Sequence, residues 1–278
     1  MQEISRHRCF EGWQIFLSHP SRECGVDMRC SIYLPPAADR GKVPVLYYLA
    51  GLSCTEETFM IKAGAQRLAA EAGLALVTCD TSPRGTDIPG QGEAWDFGLG
   101  AGFYVDATQA PWSKNWRMYS YVTRELPKLI ADHFPVDPGR QGIFGHSMGG
   151  HGALVCALRN PSAYRSVSAF APIAAPIQSP WGGKAFSGYL GSDHAKWRQY
   201  DASELVIHQR FPSEILIDQG LKDQFLAEQL HPHIFEDACR RSGQDVRVRR
   251  QAGYDHGYYF IQTFIPDHIR HHADRLRG

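Results

Sequence analysis

Two hydrophobic patterns follow one another along the chain and predict a sheet with helices between its strands. Apolar and polar residues alternate over 26–34, which is typical of a strand with one buried face and favours antiparallel pairing. Later apolar runs are short and continuous, as in parallel strands covered on both faces, and helical stretches separate them. These strands are expected at 45–50, 74–78, 141–144, 167–170, 215–219 and 246–251, and helices at 56–72, 148–158, 225–242 and 258–276.

The α/β pattern runs through the chain without a polar linker, an internal repeat or a low-complexity tract. We therefore expect a single domain over 1–278, built on a central, mostly parallel sheet with helices on both faces. The segment 82–112 is rich in glycine and aromatic residues and is too long for a simple connection. We expect it to shape a pocket.

Composition and charge exclude several function classes. Lys plus Arg and Asp plus Glu are both 29, and there is no long run of like charge, so neither a nucleic acid nor a membrane is expected as a partner. The N-terminus lacks a basic segment followed by an apolar one, which favours a cytoplasmic protein. The seven cysteines are scattered without a Cys-x-x-Cys pair and are interpreted as reduced thiols. No His-Glu-x-x-His pattern occurs, so no metal or other cofactor is expected.

The strongest chemical signal is a serine between glycines at the turn from the strand at 141–144 into a small-residue helix. Gly145-x-Ser147-x-Gly149 matches the nucleophile elbow, in which the flanking glycines relieve crowding around a strained backbone. The alternative is a glycine-rich turn whose serine only caps the helix. The strand-turn-helix context favours Ser147 as a nucleophile.

A serine nucleophile needs a general base and an acid that orients the base. The base is expected after the last strand, where Gly253-Tyr254-Asp255 leads to His256. The acid is expected in the loop after the strand at 215–219, which makes Asp223 the candidate. Asp218 lies inside that strand and is interpreted as structural, and Asp255 adjoins the histidine too closely to fold onto its ring.

The other histidines are expected to stay outside the chemistry. His146 and His151 flank the nucleophile and are expected to pack in the core, with a supporting role beside the site left open. Solvated side chains are expected for His231, His233, His268, His271 and His272.

The negative charge that develops on the substrate oxygen needs hydrogen-bond donors already in place. One is the backbone N–H of Met148, which follows the nucleophile at the start of a helix, and the second is the backbone N–H of Leu52, in the loop after the strand at 45–50. Cys54 lies beside this loop. It is either a thiol lining the pocket or an ordinary buried cysteine.

Seven segments of the chain closely resemble the S-formylglutathione hydrolase family, also called esterase D. The resemblance implies an α/β-hydrolase fold and hydrolysis of the thioester S-formylglutathione to glutathione and formate, in formaldehyde detoxification. The family's nucleophile, acid and base fall on Ser147, Asp223 and His256, and its oxyanion donors on Leu52 and Met148. The segments are 51–55, 80–85, 95–98, 101–106, 145–154, 184–191 and 253–256.

The resemblance also bears on the substrate and on assembly. Cys54, Trp95 and Trp181 are assigned to substrate binding, and because family members are often dimeric, a homodimer is one possible assembly. The rival interpretations are a carboxylesterase of broader specificity, an acyltransferase of the same fold, and a non-catalytic relative that binds a ligand in the pocket corresponding to the active site. The last is disfavoured because such proteins can lose a catalytic residue, whereas all three stand here in order.

Overall fold

Nine strands form one sheet in the computed structural model, which describes residues 1–277. The strand order is β1-β2-β3-β5-β4-β6-β7-β8-β9, antiparallel from β1 to β5 and parallel from β5 to β9. The strands are β1 Gln2–Cys9, β2 Gly12–Pro20, β3 Asp27–Leu34, β4 Val43–Leu49, β5 Ala75–Cys79, β6 Val136–His146, β7 Ser166–Phe170, β8 Ile215–Gly220 and β9 Val246–Gln251.

Helices cover the sheet. Both α5 and α10 pack on β6 and β7, with α8 beside α5 and α2 beside α10, so the two groups cover opposite faces. The helices are α1 Glu56–Lys62, α2 Gln66–Ala72, α3 Met118–Ser120, α4 Leu126–His133, α5 Met148–Arg159, α6 Pro180–Leu190, α7 His194–Arg198, α8 Ala202–His208, α9 Pro232–Ser242 and α10 Tyr258–Leu276, with π-helical turns at Tyr121–Glu125 and Leu226–Leu230. The expected mostly parallel α/β sheet is confirmed.

The parallel strands place the candidate functional loops at one edge of the sheet. Leu49 at the end of β4 pairs with Gly145 near the end of β6, and β8 and β9 run in the same direction. The loops after β4, β6, β8 and β9 therefore all leave from the carboxyl edge, where open α/β sheets bind ligands.

Two predicted helices are interrupted, and both breaks have local causes. The stretch 56–72 divides at Gly64, whose φ of +65° lies in the left-handed region and stops α1 from continuing into α2. The stretch 225–242 contains a π-helical turn and then α9, because His231 has a φ of +49° and Pro232 starts a new helix. The helix at 258–276 has the bounds that its sequence pattern predicts.

The pattern did not predict the hairpin of β1 and β2. Side chains on both faces of β1 are mostly exposed, so it has no apolar alternation, and its backbone pairs only with β2 at the edge of the sheet. No helix among residues 1–277 is both long and apolar enough to cross a bilayer.

Candidate active site

Ser147 lies on a tight turn between β6 and α5. Its φ of +59° and ψ of −119° are rare for a non-glycine residue, and its N–H donates to the Phe170 carbonyl on β7 at 2.9 Å. The turn has no room for side chains at its two glycines. A Cβ on Gly145 would lie 2.2 Å from the Gly149 carbonyl oxygen, within the turn itself. A Cβ on Gly149 would lie 1.9 Å from the carbonyl oxygen of Leu49, where the turn passes the end of β4. The backbone has the geometry of a nucleophile elbow.

His256 and Asp223 meet at the same edge of the sheet. His256 Nδ1 lies 2.5 Å from Asp223 Oδ2, and the Asp223 side chain is fully buried. Asp223 also accepts hydrogen bonds from Gln219 Nε2 at 3.2 Å and from the Phe225 N–H at 2.9 Å. With Nδ1–H donating to the carboxylate, Nε2 of His256 is left as a proton acceptor.

The two other aspartates near this pair have different partners. Asp218 is buried on β8 and accepts hydrogen bonds from Arg249 Nε at 2.9 Å and from Gln251 Nε2 at 2.7 Å, with His268 Nε2 at 2.8 Å. Asp255 accepts the Gly257 N–H at 2.9 Å within its own turn. Neither carboxylate contacts His256 by a hydrogen bond among residues 1–277.

The loop after β4 lies directly against the nucleophile turn. A Cβ on Gly51 would lie 3.2 Å from Ser147 Cβ, and the Ser53 N–H donates to the Gly100 carbonyl at 2.9 Å, which anchors the loop to the segment around Gly100. The N–H groups of Leu52 and of Met148, the first residue of α5, donate to no protein acceptor among residues 1–277. Neither amide is therefore committed to another hydrogen bond within this part of the chain.

A row of aromatic rings extends from His256 to the surface. Phe225 packs edge-on against His256 at 5.1 Å between ring centroids, Trp181 lies 4.7 Å from Phe225, and Trp95 lies 5.5 Å from Trp181. Trp181 is buried, whereas Trp95 is 58% exposed. The structure thus brings Trp95 and Trp181 into one surface with the histidine. The sequence analysis missed Phe225, although its place two residues after Asp223 was a signal.

Three histidines that the sequence analysis expected in solvent are buried, so that expectation was wrong. His268, His271 and His272 lie on α10, where the helix packs on the sheet. Ser168 hydrogen-bonds with both His268 and His272 at 2.8 Å, and burial lowers the pKa of all three imidazoles. These histidines recur at helical spacing with the buried apolar residues of α10, and this spacing was the signal that they face the core. His231 is half-buried and His233 is exposed.

The thiol of Cys54 is half-buried beside the Leu52 loop. Burial raises the pKa of this thiol, and Thr58, Lys62 and Tyr258 oppose the shift only in part. Cys9 on β1 is also half-buried, whereas the five other cysteines are buried. Within residues 1–277, no cluster of three or more His, Cys, Asp or Glu side chains is placed to hold a metal ion.

Alkylation of Cys54 is expected to block the site slowly at neutral pH and faster at higher pH, because the thiolate is the reactive form and burial disfavours it. Wild type treated with a maleimide should lose catalytic turnover, while Cys54→Ser should stay active and resist. Cys9→Ser is the matched control and should remain as sensitive as wild type. Equal inactivation of wild type and Cys54→Ser would place the reactive thiol elsewhere.

The nine-stranded sheet and the turn that carries Ser147 define an α/β-hydrolase. The family model described as a putative esterase matches residues 21–271. S-formylglutathione hydrolase of Mus musculus is 58% identical over 280 residues, with 100% of this chain and 99% of the relative covered, and that of Paracoccus denitrificans (strain Pd 1222) is 53% identical, with 99% and 98% covered. A solved S-formylglutathione hydrolase from Agrobacterium tumefaciens superposes with a TM-score of 0.97 at 50% identity, with 99% of this chain and 100% of that chain covered.

The chain belongs to the S-formylglutathione hydrolase family of esterases. The family resemblance found in the sequence motifs is confirmed by these comparisons.

Proposed function

We propose that this enzyme hydrolyses S-formylglutathione to glutathione and formate, with Ser147 as nucleophile, His256 as general base and acid, and Asp223 as the orienting acid. The observation that carries the chemistry is the 2.5 Å contact of His256 Nδ1 with Asp223 at the same sheet edge as the strained Ser147 turn. The relatives named for this activity, which match the full length of the chain, support the substrate.

Acylation begins when His256 Nε2 takes the proton of the Ser147 hydroxyl and the serine oxygen attacks the formyl carbon. The substrate carbonyl oxygen gains negative charge, which the N–H groups of Leu52 and Met148 stabilise. The carbon–sulfur bond then breaks. The glutathione thiolate leaves, taking the proton from His256, and the formyl group stays on Ser147 as an ester.

Deacylation repeats these steps with water as the nucleophile. His256 takes a proton from the water, the resulting hydroxide attacks the formyl ester, and the same two N–H groups stabilise the second oxyanion. The ester bond breaks, Ser147 regains its proton from His256, and formic acid leaves and gives up its remaining proton to solvent as formate. Asp223 keeps its hydrogen bond to Nδ1 and stabilises the imidazolium in both halves.

We further propose that the row formed by Phe225, Trp181 and Trp95, together with Cys54, lines the path of the substrate. Ser147 is only 4% exposed and Trp181 is 7% exposed, so the space around the reacting carbon is confined. A confined pocket favours the smallest acyl group, because each added methylene must find room among packed side chains.

The substrate is tested by measuring kcat/KM for S-formylglutathione, S-acetylglutathione and S-lactoylglutathione. We expect formyl to be preferred, with a loss of about 10-fold or more for each larger acyl group. Released formate should equal the glutathione formed, since an acyltransferase would instead pass the acyl group to an added alcohol or sugar. Preference for the lactoyl substrate would contradict the proposal, and turnover of simple carboxyl esters alone would favour the broader carboxylesterase.

Compartment and assembly are proposed on separate grounds. All seven cysteines are unpaired within residues 1–277, which supports a reducing compartment such as the cytoplasm. One sheet and one continuous hydrophobic core support a single domain. The homodimer stays a prediction from the family resemblance.

A further inference from the structure

His146, the residue before Ser147, is a buried imidazole that the proposed mechanism does not use. Its side chain is only 6% exposed, and neither Nδ1 nor Nε2 has a hydrogen-bond partner among residues 1–277.

The ring of His146 packs against the ring of His256. Their centroids are 4.4 Å apart and the rings are tilted by 45°. Room for the ring comes from the Leu52 loop, because a Cβ on Gly51 would lie 3.3 Å from His146 Nδ1. Tyr258, the first residue of α10, also packs near His146, with 6.1 Å between the ring centroids. His146 therefore contacts the loop of the base, the loop of the oxyanion donors and the nucleophile turn together.

The surroundings keep His146 neutral. Burial, and then the neighbouring His256, lower the pKa of His146 well below its usual range, and contact with the main chain of His256 opposes this only in part. Tyr258 and the Tyr48 hydroxyl bonded to it also stay uncharged, because burial raises the pKa of both phenols. Burial likewise raises the pKa of the Cys54 thiol near Tyr258.

Only one of the two adjacent imidazoles can therefore take the proton from Ser147. The carboxylate of Asp223 is bound to His256 and not to His146, so the cation forms on His256. A cation within about 6 Å of the centroid of a neutral aromatic ring is attracted to its face. With 4.4 Å between the two ring centroids, the ring of His146 lies within this distance of the imidazolium.

We propose that His146 is a positioning residue whose ring packs against the imidazole of His256 and stabilises its cationic form during acyl transfer. This inference rests on the proposed role of His256 as the base. It assigns the effect to the aromatic ring of His146, whose centroid lies 4.4 Å from that of His256, and not to its nitrogen atoms.

The test compares His146→Phe, which keeps an aromatic ring, with His146→Leu and His146→Met, which fill the space without one. The readout is the pH at the midpoint of the rise in kcat/KM for S-formylglutathione. For Leu and Met we expect this midpoint to fall by about 0.5–1 pH unit and kcat to fall about tenfold, whereas Phe should keep the wild-type midpoint. His233→Leu, an exposed position, is the matched control and should change neither value.

The concentration of active sites in each variant is measured by titration with a covalent serine reagent. Incomplete folding lowers this concentration but does not move the midpoint of the pH profile. If one aliphatic variant fails to fold, the other still decides. The proposal would be overturned if folded His146→Leu or His146→Met kept the wild-type midpoint. It would also be overturned if the midpoint of His146→Phe fell as far as that of the aliphatic variants. Full activity of His256→Ala would instead show that the proposed function, with His256 as the base, is wrong. Failure of the His146 proposal and failure of the proposed function therefore give different results.

Discussion

Ser147→Ala should fold normally and lose nearly all thioesterase activity. The attacking oxygen is removed while the oxyanion donors and the aromatic row remain, so only residual catalysis is left. We expect kcat for S-formylglutathione to fall by at least about a thousandfold, since such losses usually reach several orders of magnitude. Turnover of the purified variant with S-formylglutathione, with glutathione release as the signal, measures this loss.

The stability of Ser147→Ala should stay close to that of wild type, because the Ser147 backbone, and not its hydroxyl, makes the hydrogen bonds that hold the turn. Ser187→Ala, on the exposed side of α6, is the matched control and should keep full turnover. If Ser147→Ala kept more than about a tenth of the wild-type kcat, the nucleophile would have to be another residue.

His256→Ala and Asp223→Asn should also be crippled, with kcat lowered by roughly three to four orders of magnitude. In Asp223→Asn the neutral amide no longer holds His256 in the tautomer that carries its proton on Nδ1, and it no longer stabilises the imidazolium. Adding Ser147→Ala to either variant should cost little more, because a catalytic unit that is already broken cannot be broken again. The measurement is kcat for the three single variants and the two double variants.

Asp218→Asn is the matched control for Asp223→Asn. Asp218 is paired with Arg249 and His268 in the buried contact of β8 with β9 and α10, so its replacement should cost about 3–5 kcal/mol of stability and affect kcat much less. Urea unfolding and turnover at a temperature where both variants are folded separate the two effects. A larger loss of kcat in Asp218→Asn than in Asp223→Asn would show that the acid is wrongly assigned.

Much of the site follows from short-range features of the sequence. The strand, the paired glycines and the helix around Ser147 stand within one continuous segment. The steric exclusion at Gly145 comes first from the Gly149 carbonyl in the same turn, whereas that at Gly149 comes from Leu49 at the end of β4. Candidates for the acid and the base follow from the order of the late strands, because parallel strands deliver their loops to one edge. The bounds of α10 also follow from its periodic pattern.

Other features depended on contacts between distant segments. The hairpin of β1 and β2 has no apolar alternation in β1, so only its backbone pairing reveals it. His268 and His272 are polar by type, yet serines on β7 and Asp218 on β8 satisfy them in the core. A pattern read along one helix cannot show partners that lie 50 to 106 positions away.

By itself, the sequence determined the α/β class, the turn that carries Ser147 and the loops that supply Asp223 and His256, because each depends on residues close together in the chain. Only the tertiary structure showed the 2.5 Å contact of Asp223 with His256, the packing of His146 against that ring, and the row that Phe225 forms with Trp181 and Trp95. The physical reason is that burial and hydrogen-bond partners are properties of the packed chain, whereas backbone sterics and periodicity act over a few neighbouring residues.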